Sequence, residues 1–211
     1  MQRKLNYVAV DGPIGSGKTT LVHMLAEDFK GHAILEPSQN NPFLAEFYKD
    51  RRRNAFKTQL FFLLNRYQQQ LELKQHDLFH PMTFCDYIFA KNSIFAEINL
   101  SEDEQALYRT IFQLLKERLP KPDLVIYLRA DSKILLQRIK KRGIEYERPI
   151  NQDYLDKLTD AYNQFFLNYN DTPLLVADTT STDYLGNPDD YANLKREILN
   201  HRGGTVQLIA R

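Results

Sequence analysis

The sequence predicts an α/β fold in which a parallel sheet of five strands is covered by helices. Short apolar runs recur at residues 7–10, 33–35, 82–85, 124–128 and 174–176, separated by segments with helical periodicity. Each run shows little polar alternation, as expected for strands buried on both faces. A glycine-rich loop also joins the first run directly to a helical segment. With 211 residues, 43% of them hydrophobic and 26% charged, the chain is long enough for one sizeable core. No internal repeat, low-complexity tract or linker interrupts it, so residues 1–211 are expected to form one domain.

The first run leads into Gly12-Pro13-Ile14-Gly15-Ser16-Gly17-Lys18-Thr19, which fits the phosphate-loop pattern G-x-x-x-x-G-K-[ST]. At average residue usage such a match arises by accident in roughly one chain in a hundred of this length. The context lowers that further, because Thr20-Leu21-Val22-His23-Met24-Leu25-Ala26 reads as the amphipathic helix that should leave the loop. Glycines let successive backbone N–H groups curl around phosphates, and the helix N-terminus adds partial positive charge. The Lys18 ammonium is placed to reach the β- and γ-phosphates, and the Thr19 hydroxyl to ligate a bridging Mg²⁺. Residues 12–20 are therefore the expected ATP-binding segment of a three-layer P-loop NTPase fold, with Thr20 the first residue beyond the motif.

Sheets of this kind hold ligands at the carboxyl ends of their strands. Asp11, Glu36, Asp86 and Arg129 follow four of the runs. A carboxylate beside a triphosphate can bind Mg²⁺ or accept a proton from an attacking hydroxyl, although Glu36 or Asp86 alone could equally cap a helix. Asp86 is taken as the second metal-binding residue with Thr19. Residues 43–48 and 56–70 read as helical and aromatic; Gln59 and Arg66, seven apart, share a face with Leu63. A glutamine amide offers a donor and an acceptor, which matches a nucleobase edge. Arg138 and Arg142 are four apart on a helix ending at Gly143 and are expected to converge on phosphate oxygens. Residues 182–190 read as a loop before the last helix.

These residues resemble the deoxynucleoside kinase family over nearly the whole chain. Glu36-Pro37 is similar to the family's Glu-Pro after the second strand, whose carboxylate is the general base on the 5′-hydroxyl. Tyr48, Gln59 and Arg66 fall at the family's spacing for the tyrosine on the sugar 3′-hydroxyl, the glutamine on the base and the arginine beside it. Arg138-Ile139-Lys140-Lys141-Arg142-Gly143 followed by Glu147 resembles its short arginine-containing lid, in which a glutamate reaches the sugar. The resemblance implies ATP-Mg²⁺ as donor, a deoxynucleoside as acceptor with purines preferred, and a homodimer paired through helices. Lys18, Asp86, Arg138 and Arg142 would supply most of the acceleration, with Phe43, Phe56 and Phe89 as candidates for base stacking. Three positions depart from the pattern, one of them Lys91, which lies near where relatives often carry an Asp that helps read the base. Asp86-Tyr87-Ile88 stands where the family commonly has an acid followed by Arg and Ser, so the missing arginine's work falls to Arg66, Lys91 or a lid arginine. Ile144 stands where some relatives carry a further lid arginine.

Other classes are less well served. A net charge of +1, from 28 basic and 27 acidic residues, gives no general pull toward a nucleic acid polymer or a membrane. Cys85 is the only cysteine, which excludes an intrachain disulfide, and His76 with His80 lacks metal-ligand context because His80 precedes Pro81. The strand that follows Met1-Gln2-Arg3-Lys4 leaves no room for a signal peptide, so a cytosolic protein is expected. A thymidylate-type nucleoside monophosphate kinase would need a cationic site for the acceptor phosphate, which Arg51-Arg52-Arg53 could supply. A regulatory nucleotide-binding module would need no set such as Glu36, Tyr48, Gln59 and Glu147.

Overall fold

The computed structural model describes residues 5–76 and 82–208. His80, Pro81 and residues 1–4, on which some of the expectations above rest, lie outside them. In chain order the elements are β1 (Tyr7–Asp11), α1 (Lys18–Asp28), β2 (His32–Ile34), α2 (Leu44–Lys49), α3 (Arg51–His76), β3 (Thr83–Cys85), α4 (Lys91–Asn99), α5 (Glu102–Lys116), β4 (Leu124–Arg129), α6 (Ser132–Arg142), α7 (Gln152–Leu167), β5 (Leu174–Asp178), α8 (Pro188–Asn200) and β6 (Thr205–Leu208). The strands form one sheet in the order β2-β3-β1-β4-β5-β6, and every pairing is parallel.

Side-chain alternation divides the core into two layers. Tyr7, Ala9, Cys85, Val125, Tyr127 and Val176 face helices α2 to α7. Val8, Val10, Phe84, Ile126, Leu128 and Ala177 face the other way, onto Leu21, Val22 and Leu25 of α1 and Leu194 and Ile198 of α8. Successive residues of a strand point to opposite faces, so a strand covered on both faces must be apolar throughout. Local signals set the helix starts: Ser101 and Glu104 form a capping box on α5, Asp131 caps α6, Asn151 caps α7, and Asn187 with Pro188 opens α8.

Two expectations are corrected. The sheet has six strands rather than five. Thr205–Leu208 is an edge strand whose residues alternate between exposed and half-buried, so it lacks the continuous apolar run that marked the other five. The segment 182–190 is a loop only up to Asn187, because Pro188 is already the first turn of α8.

β1 lies inside the sheet, between β3 and β4. The chain leaves it toward β2 and β3 on one side and later fills β4 to β6 on the other. Such a reversal opens a crevice at the carboxyl end of the strand, where the glycine-rich loop sits.

Candidate active site

Nine of the predicted site residues, Lys18, Thr19, Glu36, Tyr48, Gln59, Arg66, Asp86, Arg142 and Glu147, line a single cleft at this end of the sheet. Ile14 and Gly15 form its wall on the side of the phosphate loop. Arg138 and Thr20 line an adjoining cleft with Gly15, Ser16 and Gly17. Gly12 and Pro13 support the loop from behind.

The loop is packed tightly on its neighbours. A Cβ added at Gly12 would lie 2.5 Å from the Leu128 carbonyl oxygen, and one at Gly15, where φ is +85°, would lie 3.1 Å from the Leu135 carbonyl oxygen of α6. Asp11 is fully buried and braces the loop: it accepts hydrogen bonds from the Gly12 N–H at 2.6 Å, the Ile88 N–H at 3.0 Å and the Tyr162 hydroxyl at 3.1 Å. Lys18 Nζ donates to the Pro13 carbonyl at 3.0 Å. Burial pushes its pKa down to about 8, and the Lys91 ammonium adds to the depression. Ser16 Oγ is buried and has no hydrogen-bond partner, as befits a hydroxyl at the edge of a phosphate cradle.

Asp86 ties the two sides of the cleft together. Its Oδ2 accepts from the Thr19 hydroxyl at 2.7 Å, and its Oδ1 accepts from the Glu36 N–H at 2.7 Å. Hydroxyl and carboxylate oxygens suit Mg²⁺, which takes few protein ligands and fills its octahedron with water and phosphate oxygens. Among the described residues no group of three or more His, Cys, Asp or Glu is placed to hold a metal ion.

Glu36 occupies the centre. Arg66 holds its Oε1 through Nε at 2.5 Å and through a second, shorter contact from the same guanidinium, and Lys91 Nζ holds its Oε2 at 2.9 Å. Burial alone would push this carboxyl up, but Arg66 and Lys91 outweigh it and hold the pKa at about 2. Glu36 is thus ionised at neutral pH. Arg66 is 3% exposed and also donates to Asn92 Oδ1, which accepts from the Tyr108 hydroxyl at 3.4 Å. Deeper in the cleft, Gln59 is 2% exposed and its Oε1 has no partner. Tyr48 stacks on Tyr146 with ring centroids 6.3 Å apart.

The lid residues lie where α6 ends. Arg142 donates to both carboxylate oxygens of Glu147 at 2.7 Å, while Arg138 donates to the Thr179 hydroxyl at 3.0 Å and to the Thr179 carbonyl at 2.7 Å. Arg138 and Arg142 both line the cleft beside Gly15, Ser16 and Gly17 of the phosphate loop.

Some expectations fail for geometric reasons. Phe47, Phe62 and Phe95, not Phe43, Phe56 or Phe89, line the cleft. At about 100° per residue, Phe62 and Arg66 lie on one side of Gln59 while Phe56 and Leu63 lie on the other. Leu63 is accordingly fully buried in the core, and Phe89 stacks on Phe112. Arg129 pairs with Asp178 at 2.9 Å in a separate groove. None of Arg51, Arg52 and Arg53 lines the cleft, so the cationic acceptor site of a monophosphate kinase is not formed there.

Sequence reasoning missed three partners. Asn92 accepts from Arg66 and is itself held by the Tyr108 hydroxyl, and the loop after β5, with Thr182, Tyr184 and Leu185, lines the cleft beside the phosphate loop. The loop obeys the same strand-end rule that found Glu36 and Asp86, but its polar composition suggested only a connection. Lys91 carried its own signal: a single cation between the apolar stretches Ile88-Phe89-Ala90 and Ile94-Phe95-Ala96 is a charge in need of a buried partner.

Comparison with known proteins decides the family. A family description for deoxynucleoside kinases matches residues 8–202. The chain belongs to the deoxynucleoside kinase family. It is similar to a deoxyguanosine kinase of Bacillus subtilis, 35% identical over 197 residues covering 91% of this chain and 95% of that one. It is 28% identical to a deoxyadenosine kinase of Lactobacillus acidophilus, with coverages of 92% and 95%. Among solved structures, a deoxyadenosine kinase from M. mycoides with bound dATP superposes with a TM-score of 0.79 at 26% identity, covering 91% of this chain and 98% of that one. This deoxynucleoside kinase is therefore an ATP-dependent phosphotransferase of nucleotide salvage.

Proposed function

We propose that this kinase transfers the γ-phosphoryl group of ATP to the 5′-hydroxyl of a purine deoxynucleoside, with Glu36 as the group that orients the hydroxyl. The observation that carries this reading is the position of Glu36, ionised and held between the Lys18–Thr19–Asp86 side of the cleft and the Gln59 side. The base enters first, against Phe62 and Phe95, and offers a donor to the unpartnered Gln59 Oε1. Tyr48 and Glu147 then hold the 3′-hydroxyl. The 5′-oxygen attacks the γ-phosphorus, the bond from phosphorus to the β,γ-bridging oxygen breaks with its electron pair leaving on ADP, and the 5′-proton passes through Glu36 to solvent. A carboxylate with a pKa near 2 does not retain that proton. Its contribution is mainly alignment, which phosphoryl transfer uses more than basicity. Mg²⁺ held by Thr19 and Asp86 would neutralise phosphate charge, with Arg138 and Arg142 closing from the lid.

Residues 1–211 are read as one domain, supported by the single sheet that runs from β1 to β6. The cytosol is the compartment implied by the substrates; no described helix is long and apolar enough to cross a membrane. The purine preference is supported by the relatives above, which are named for deoxyguanosine and deoxyadenosine. An activity panel of the four deoxynucleosides with ATP-Mg²⁺ tests it, with dG or dA expected to give the highest kcat/KM. In the same panel Gln59→Leu is expected to raise KM for the preferred substrate by about 10- to 100-fold while leaving KM for ATP within about threefold, because a buried base contact is lost. A pyrimidine preference, or an unchanged KM in the variant, would overturn the assignment of base contact.

A homodimer is supported by exposed leucines. Leu64 and Leu71 on α3 are 49% and 36% exposed, and Leu107 and Leu114 on α5 are 54% and 69% exposed. Each pair is seven residues apart and so forms one stripe, and α3 packs against α5. The double variant Leu64→Glu, Leu114→Glu is expected to sediment as a monomer where the parent sediments as a dimer. A parent that is monomeric at micromolar concentration would end this reading.

A further inference from the structure

Lys91 is 5% exposed at the first turn of α4, where its aliphatic stem runs into the cleft. Taking an ammonium this far out of water is costly unless its charge is used. Among the described residues the Lys91 ammonium donates to Glu36 Oε2, at 2.9 Å. Glu36 needs no second cation, because Arg66 already neutralises it through the other oxygen. One carboxylate therefore holds two buried cations on the acceptor side of the cleft, while the buried carboxylates Asp11 and Asp86 lie toward the phosphate loop. An ammonium has three N–H donors, so two remain beyond the bond to Glu36.

Its surroundings show which way that charge is directed. Lys91 lines the same cleft as Lys18, Thr19 and Asp86, and its field reaches Lys18 and Asp11 on the phosphate loop. The alternatives near by are already committed. Tyr87, which directly follows Asp86, is fully buried and donates its hydroxyl hydrogen to Gln69 Oε1. Arg66 spends its guanidinium on Glu36 and Asn92. Arg138 and Arg142 stand apart from Glu36 at the end of α6, where they donate to Thr179 and Glu147 and flank the phosphate loop from the lid. Of the two cations that hold Glu36, Lys91 is the one with donors to spare.

We infer that Lys91 is a catalytic residue of this kinase, contacting the transferring phosphoryl group from the acceptor side, opposite Lys18, and remaining on the 5′-phosphate of the product. The inference rests on the reaction proposed above. In that step the new bond forms between the 5′-oxygen and phosphorus, and the old bond to the bridging oxygen breaks toward ADP. Lys91 keeps its protons throughout. It meets negative charge that moves with phosphorus from the donor to the acceptor, and such fixed charge accelerates transfer because it needs no reorganisation as the reaction proceeds.

Lys91→Gln separates this role from a mere brace for Glu36, since the amide keeps a donor for Oε2 and removes the charge. Deoxynucleoside and its 5′-monophosphate are titrated separately into parent and variant, and kcat is measured with ATP-Mg²⁺. The variant is expected to lose about 10²-fold or more in kcat. It should also lose at least about tenfold in affinity for the monophosphate while deoxynucleoside affinity stays within about threefold, as for the loss of one charge-assisted hydrogen bond. Equal losses for nucleoside and monophosphate would reduce Lys91 to a brace, and an unchanged kcat would remove it from the reaction; either overturns the inference. Lys91→Met, whose chain fills the same space against Phe95, is read on the same two affinities if the glutamine variant does not fold. A parent protein that phosphorylates no deoxynucleoside would overturn the underlying reaction instead, and the two failures are distinguishable.

Discussion

Lys18→Ala is expected to lower turnover by at least about 10³-fold, because it removes the one ammonium built into the phosphate loop. The loss should fall on transfer and ATP affinity together, with deoxynucleoside binding nearly unchanged. Stability should hardly suffer. Lys18 is enclosed at a cost that already drags its pKa from 10.5 to about 8, and the only bond it makes in the loop is to the Pro13 carbonyl. The same depression sets a pH dependence. Triphosphate favours the protonated ammonium, so bound ATP raises the Lys18 pKa and binding is tightest where Lys18 is already charged. Affinity for ATP is therefore full below about pH 8 and declines as pH rises through about 8. ATP titrations of parent and variant between pH 6 and 10 check both points. A variant that turns over at the parental rate would show that the loop is not the donor site, and a parental affinity that is flat across this range would remove Lys18 from phosphate binding.

Glu36→Gln should cost about 10²-fold or more in kcat and also lower stability, and the two effects have separate causes. The kinetic loss comes from the acceptor hydroxyl, which no longer meets an anion aligned for it. The loss of stability comes from the cations. Arg66 and Lys91 have side chains only 3% and 6% exposed, and removing their shared counter-charge leaves two desolvated charges facing each other, a change of order 3 kcal/mol. Acid acts on the parent in the same direction. Because the folded pKa of Glu36 is depressed from 4.5 to about 2, its contribution is complete above the ordinary carboxylate range and is lost as pH falls from about 4.5 through about 2. Single-turnover kinetics and thermal unfolding of the variant measure the two effects independently. Near-parental turnover would sink the role of Glu36 at the hydroxyl, and a parental melting temperature would show that Arg66 and Lys91 do not depend on it.

Much of this architecture was legible in the chain because its signals are local. Five of six strands are continuous apolar runs, and the phosphate loop is a contiguous motif flanked by a strand and a helix. Glu36 and Asp86 were found by one rule, that ligands gather beyond the carboxyl ends of strands. β6 escaped because an edge strand is half solvated and carries only Val206 and Leu208 as apolar residues. The stacking residues were misplaced for a different reason. Helical spacing identifies a face but not which part of it meets the cleft, and a rotation of about 100° per residue separates Phe62 from Phe56 across Gln59.

By itself the sequence determined the donor site, since the phosphate loop is made by neighbouring backbone groups whose geometry follows from glycine, lysine and threonine at fixed spacing. It also named many of the residues that line the cleft beyond the loop, through motifs tied to particular strands and helices. Only the tertiary structure decided how those residues are charged and whom they serve. Glu36, Arg66 and Lys91 are separated by up to 55 residues in the chain, yet they share one buried ion-pair cluster. Electrostatic energies in such a cluster depend on distance and exclusion from water, which are properties of packing across the sheet and are not written at any single position.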